Sequence, residues 1–393
     1  MKNKYQKTIY ACFVGYTVQA IINNFVPLLF LTFQSTYQIS LSKITMLVTI
    51  NFCLQLVVDL LAISFVDKIG YRASVVLAHI FSTMGLISLA FLPGFFSDPF
   101  MGLLVSVTIY ALGGGLLEVL VSPIVEACPS EHKEKTMSLL HSFYCWGHVG
   151  VVLLSTLFFK FVGIDNWRIL ACLWAVIPFF NAIAFLKVPI APLVQDGEQG
   201  LKIRNLIGKK VFWIMILLMM CAGACEQAVS QWASTFAERG LGVSKTIGDL
   251  TGPMLFAIMM GLSRLFYGKY GDRIQLKRFM LLSGSLCILS YLVISLTPLA
   301  WMGLVGCGLC GLSVGILWPG TFSMAAASIR NGGTALFALL ALAGDLGCSG
   351  GPTVVGMVSA AFRDNIKMGV LAAIVFPILL MFGILFGGKR IKI

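Results

Sequence analysis

The sequence predicts an all-α membrane protein of twelve transmembrane helices, arranged as two pseudo-symmetric six-helix bundles. Three observations carry that prediction. Hydrophobic residues make up 58% of the chain and charged residues only 11%, whereas a soluble domain carries about a quarter charged residues to cover its surface. The apolar residues fall in runs long enough to cross about 30 Å of hydrocarbon as a helix. The runs also divide evenly around one long polar interruption, 188–208, which holds Pro189, Pro192, Asp196, Glu198, Lys202 and Arg204.

The first bundle, 1–187, has runs at about 8–33, 42–66, 73–92, 99–127, 135–159 and 167–187. The second, 209–393, has them at about 210–237, 247–268, 278–296, 300–329, 333–359 and 367–387. Alternate loops differ sharply in basic residues. One set is rich in them, among them Lys2, Lys4, Lys7, Lys68, Arg72, Lys133, Lys187, Lys209, Lys269, Arg273 and Lys389; the other is sparse, with Lys43, Lys160, Arg168, Arg239, Lys245, Arg363 and Lys367. The positive-inside rule then puts both termini and the 188–208 linker in the cytoplasm of a cell whose inner or plasma membrane holds the chain.

The same rule accounts for the net charge of +12, because the basic residues sit in short loops and form no patch interleaved with aromatics for nucleic acid. The 11 cysteines are odd in number and lie mostly inside apolar runs, which argues against a disulfide framework and against zinc. The apolar run after the basic segment Met1–Lys7 is too long for a cleaved signal peptide. No glycine pattern follows a strand to hold a nucleotide, so neither ATP nor another cofactor is expected.

A repeat links the two halves. Asp67-Lys68-Ile69-Gly70-Tyr71-Arg72 follows the second run, and Gly268-Lys269-Tyr270-Gly271-Asp272-Arg273 follows the eighth. An aspartate in such a turn can cap a neighbouring helix, while the basic residues hold the loop at the cytoplasmic face. The two turns resemble the loop motif of the major facilitator superfamily, Gly-x-x-x-Asp-Arg-x-Gly-x-Arg. The first departs at Ile63, where the family prefers glycine, and the second at Gln275.

Within the superfamily the chain is most similar to the fucose-permease branch of sugar:proton symporters. That similarity rests on Gly113-Gly114-Gly115-Leu116-Leu117-Glu118 with Pro123, on Asn23 and Asn24 before Pro27, and on Leu317-Trp318-Pro319. The resemblance implies the major facilitator fold and a central cavity lined by spans 1, 4, 7 and 10. It also implies a proton and sugar role for the span 4 glutamate, which Glu118 matches. The branch's span 1 aspartate has no counterpart here, where Asn23 and Asn24 stand instead.

Ionisable and polar groups within spans are costly and mark functional positions. Glu118, Glu226 and Asp345 are the candidate proton-coupling residues. Gln19, Asn23, Asn24, Gln227, Gln231, Trp232, Trp318 and His141 are candidate substrate contacts, since amides both donate and accept and an indole covers the apolar face of a sugar. A satisfied core role or interhelical bonding is the plainer alternative for each. Asp59, Asp67, Arg72, Arg264, Asp272 and Arg273 read as gating or structural residues. His141, Tyr144 and His148 share a face of span 5 without a carboxylate or thiol at ligand spacing, so no metal is expected.

The expected function is proton-coupled uptake of a small polar solute such as a sugar, by alternating access. The chain would act as a monomer in the lipid bilayer, with the solute and the coupling ion as its partners. A proton-driven exporter of drugs or hydrophobic metabolites is the alternative, disfavoured by the amide stripes. An intramembrane enzyme or receptor is the third, without a His/Asp cluster or Ser/His arrangement to support it.

Overall fold

In hydrocarbon each backbone N–H and C=O must find a partner within the protein, and a helix supplies those partners within one segment. The computed structural model describes residues 5–129, 133–191, 203–270, 274–329 and 333–387, and every regular element among them is helical. In chain order these are α1 (Gln6–Asn24), α2 (Phe30–Tyr37), α3 (Leu41–Ile69), α4 (Tyr71–Phe95), α5 (Pro99–Ala127), α6 (Lys133–Val162) and α7 (Trp167–Lys187). There follow α8 (Ile203–Ile207), α9 (Lys210–Ser230), α10 (Ala233–Thr235), α11 (Lys245–Thr251), α12 (Pro253–Tyr270), α13 (Leu276–Leu296) and α14 (Ala300–Val314). The last are α15 (Leu317–Ser328), α16 (Gly333–Ala361), α17 (Ile366–Ala372) and α18 (Val375–Gly387).

Among the described residues, 11 helical stretches are long and apolar enough to cross a membrane. The remaining long helix is α16, with 29 residues. Several helices run past the expected ends of their spans: α3 reaches Ile69 and α16 reaches Ala361.

Local chemistry sets where helices start, break and turn. Asp98 accepts the backbone N–H of Phe100 at 3.0 Å and Pro99 occupies the first helical position, a strong start for α5. Hydrogen bonds from the Phe100 N–H and from Lys43 hold the Asp98 carboxyl below the ordinary range. Gly70 joins α3 to α4 with φ of 84°, a conformation open to glycine and strained for other residues. Pro27 interrupts the first span in a short 3-10 turn, Val26–Leu29. Gly252 and Pro253 part α11 from α12, and the segment after α10 widens into a π-turn, Phe236–Gly240.

The chain divides into two compact units, Met1–Asp196 and Gly197–Ile393. In the first, α5 packs on α4, α3 and α1, and α1 also meets α6 and α7. In the second, α9 packs on α16, α18 and α15, while α14 lies against α12 and α13. Small residues permit these approaches. A side chain at Gly113 would stand 2.6 Å from the Ala78 carbonyl of α4, and one at Gly347 of α16 would overlap the Met220 carbonyl of α9. Outward faces carry apolar side chains such as Leu61, Phe91, Phe180, Leu282 and Leu385, which suits a lipid surround.

Candidate functional site

Each unit holds a polar cluster inside a largely apolar packing of helices. In the first unit the cluster begins with the triple glycine of α5. Gly113 lies against α4; Gly114 lies 3.1 Å from Gln19 Oε1 of α1, measured from an ideal Cβ; Gly115 lies 2.9 Å from the Cα of Gln55 on α3. The three glycines therefore seat three neighbouring helices around the turn that precedes Glu118.

Into that space project four amides. Gln19 Nε2 donates to Glu118 Oε2 at 3.1 Å and to Gln55 Oε1 at 2.9 Å. Gln55 Nε2 donates to Asn23 Oδ1 at 2.9 Å, and Asn51 Nδ2 donates to the same oxygen at 3.2 Å. All four amides are buried, and Glu118 is half-buried. Beside them, Asn24 donates to its own helix at the Ala20 carbonyl and, at 3.4 Å, to Tyr144 Oη of α6. Tyr16 shares a hydrogen bond of 2.9 Å with Ser122 and packs its ring 5.2 Å from that of His141, which is exposed. His148, on the same helix, is buried.

In the second unit, Glu226 of α9 and Arg264 of α12 form an ion pair of 3.3 Å. The Arg264 guanidinium also donates to the Gly315 carbonyl at the break between α14 and α15. Gln231 donates to Gln227 one turn before it at 3.0 Å, and the Trp232 indole N–H donates to the Pro352 carbonyl of α16 at 2.9 Å. Trp232 is fully enclosed, whereas Trp318 is half-buried, with its ring over Gly344 beside the buried Asp345.

Of the residues expected at the site from sequence, the structure thus brings Gln19, Asn23 and Glu118 into one network and pairs Glu226 with Arg264. It spreads Asn24, His141, Trp318 and Asp345 around these. Asp59 lies on α3 one turn beyond Gln55 and is half-buried. Arg72 donates to the carbonyls of Phe185 and Leu186 at 2.7 and 2.9 Å, neutralising the C-terminal end of α7. The side chain of Asp67, and Asp272 and Arg273 altogether, lie outside the described residues.

Sequence reasoning left Asn51 and Gln55 outside the site, although their four-residue spacing with Asp59 put them on one face. It also treats Glu226 and Arg264 separately, although two opposite charges within the spans of one half signal a pair. A further cluster was missed. Lys245 Nζ lies 3.1 Å from both Glu238 and Asp249, and Ser234 donates to Asp249. Its signal is a repeat: Ser42-Lys43 near the start of α3 recurs as Ser244-Lys245 at α11, and Lys43 likewise holds Asp98 at 3.2 Å.

Comparisons with known proteins agree with this architecture. The family model described as Major Facilitator Superfamily matches residues 10–352. A membrane protein of Rhizobium meliloti, MosC, is 23% identical over 261 residues, covering 66% of this chain and 62% of that protein. The chain thus spans under two thirds of that relative's length. Among solved structures, a D-xylose-proton symporter superposes with a TM-score of 0.79 at 14% identity, covering 99% of this chain and 98% of the other. A bacterial homologue of the human lysosomal transporter Spinster gives 0.78 at 15% identity, covering 100% and 98%. The E. coli fucose:proton symporter gives 0.68 at 15% identity, covering 98% and 100%. With a family model matched across most of its length and that fold throughout, the chain belongs to the Major Facilitator Superfamily and is a multi-pass membrane protein.

Proposed function

We propose that this transporter takes up a small polar solute, such as a sugar, in symport with protons, and that Glu118 is the coupling residue. In this reading α16 completes twelve spans, both termini face the cytoplasm, and a single chain in the plasma membrane suffices for transport by alternating access. The observation that carries it is the setting of Glu118: a half-buried carboxylate at the end of a buried amide network, in a chain of this family. A carboxylate so placed can be neutral when sealed from water and ionised when wetted, which ties proton binding to the facing state. Each proton entering down a gradient yields about 2.3 kcal/mol per 100 mV, enough to concentrate a neutral solute. The amides beside Glu118 suit a polyhydroxylated ligand, and two of the structural neighbours carry fucose and xylose with protons in their names.

The test is transport in liposomes, with the solute first found by thermal stabilisation across sugars, polyols, nucleosides and amino acids. Glu118→Gln mimics the protonated form, so it is expected to lose uphill accumulation while keeping much of its solute exchange. Glu226→Gln and Asp345→Asn are the comparison variants. Normal pH-driven accumulation by Glu118→Gln overturns the assignment, and selective loss in Asp345→Asn moves the coupling site to α16.

A further inference from the structure

The amide network of the first unit has a direction, and that direction follows from the charge at its end. An ionised carboxylate can only accept, so Gln19 presents its NH2 group to Glu118, and the same group meets Gln55. Gln55 must therefore present its oxygen to Gln19 and its NH2 to Asn23. Asn23 presents oxygen in turn, and Asn51 answers with NH2. Each choice is forced by the one before it. Two buried oxygens are left without a hydrogen bond, Gln19 Oε1 and Asn51 Oδ1.

A protonated Glu118 keeps one accepting oxygen but gains an O–H donor, and with the proton on Oε2, the oxygen that faces Gln19, that O–H needs an acceptor there. Turning the Gln19 amide over supplies Oε1, but that oxygen then faces the oxygen of Gln55. Gln55 turns as well, followed by Asn23 and Asn51. In the reversed order Glu118 O–H and Gln55 Nε2 donate to Gln19 Oε1, and Asn23 Nδ2 donates to Gln55 Oε1 and Asn51 Oδ1. The chain holds four internal bonds in either order. The number of internal bonds is the same, and the proton on Glu118 decides between the two orders.

We propose that Gln19, Gln55, Asn23 and Asn51 form a two-state amide chain that reverses when Glu118 takes up a proton, registering the protonation of α5 on α3. Gln55 and Asn51 are then positioning residues for coupling. The proposal rests on the reading of Glu118 as the proton site. The other titratable groups brought towards this region are Tyr16 of α1, Asp59 of α3 and His141 of α6. His79 of α4 is engaged with the Val75 carbonyl and Asn181.

Infrared difference spectra of the full-length protein in lipid vesicles, taken across a pH titration, test this. The Glu118 carboxyl band is assigned by its absence in Glu118→Gln, and the side-chain amides by nitrogen-15 labelling with Asn51→Leu. Amide bands are expected to move with the same midpoint as the carboxyl band, and Gln55→Leu is expected to leave Glu118 titrating while abolishing the Asn51 response. Asn51→Asp can only accept from Asn23, which favours the reversed order, so it should raise the Glu118 midpoint by about one pH unit. Adding Gln55→Leu should cancel that rise; a purely through-space effect would survive it. A carboxyl band that titrates while the Asn51 band stays still, or an Asn51 response that persists in Gln55→Leu, overturns the amide chain and leaves coupling at Glu118 intact. A Glu118 carboxyl that never titrates overturns both.

Discussion

The ion pairs inside the second unit set what removal of one partner does. Arg264 and Glu226 form such a pair, with side chains 21% and 9% exposed. Arg264→Met leaves a buried carboxylate without its cation and should cost about 3 kcal/mol, seen as a lower unfolding midpoint. Arg264→Met combined with Glu226→Gln should recover most of the loss, since no charge is then stranded; an equal loss in the double variant would mean that packing, not pairing, holds α9 to α12. Glu238 gives a pH signature. Burial raises its carboxyl above the ordinary 4.5, opposed by Lys245. The folded state therefore keeps a proton that the unfolded chain has released, so stability falls as pH rises from 4.5 through the raised value. Melting curves between about pH 4 and pH 7 should show that fall in the wild type and a flatter profile in Glu238→Gln.

At the scale of elements, helix contacts are set by where the chain has no side chain. α9 and α16 meet through Gly347, whose substitution would drive a methyl into the Met220 carbonyl, whereas Gly350 on the same helix has nothing within 4 Å. Gly347→Ala should therefore lower stability by about 1–3 kcal/mol. Gly350→Ala should be neutral or stabilising by up to about 1 kcal/mol, because alanine favours the helix. Comparable unfolding midpoints for the two variants would show that α9 and α16 can separate without cost. The triple glycine of α5 works in the same way on α4, α1 and α3, and so places the amides around Glu118.

For the whole molecule, the basic loops predict an orientation. In the proposed topology, with both termini cytoplasmic, the 188–208 linker lies on the same side. A cysteine introduced as Asp196→Cys should react with an impermeant thiol reagent in inside-out vesicles and be protected in right-side-out ones, above the background of the native cysteines. Labelling only from the outside would reverse the topology and remove the positive-inside argument for this chain.

The sequence alone determined that the chain crosses the membrane many times, because a run of apolar residues long enough to span hydrocarbon is a local property. It also located the polar residues inside the spans and the internal repeat at Asp67–Arg72 and Gly268–Arg273. Partnership was decided only by the tertiary structure. Gln55 and Asn51 are 36 and 28 residues from Gln19 and Asn23, their partners on α1, and Glu226 is 38 residues from Arg264. Which amide meets which depends on the rotation and depth of packed helices, and these follow from close approach at Gly113, Gly114 and Gly115 rather than from any periodicity. Trp232 shows the same limit: its place in a polar stripe was legible, but its indole N–H bonds the Pro352 carbonyl across 120 residues of chain, a contact fixed only once α9 and α16 have packed.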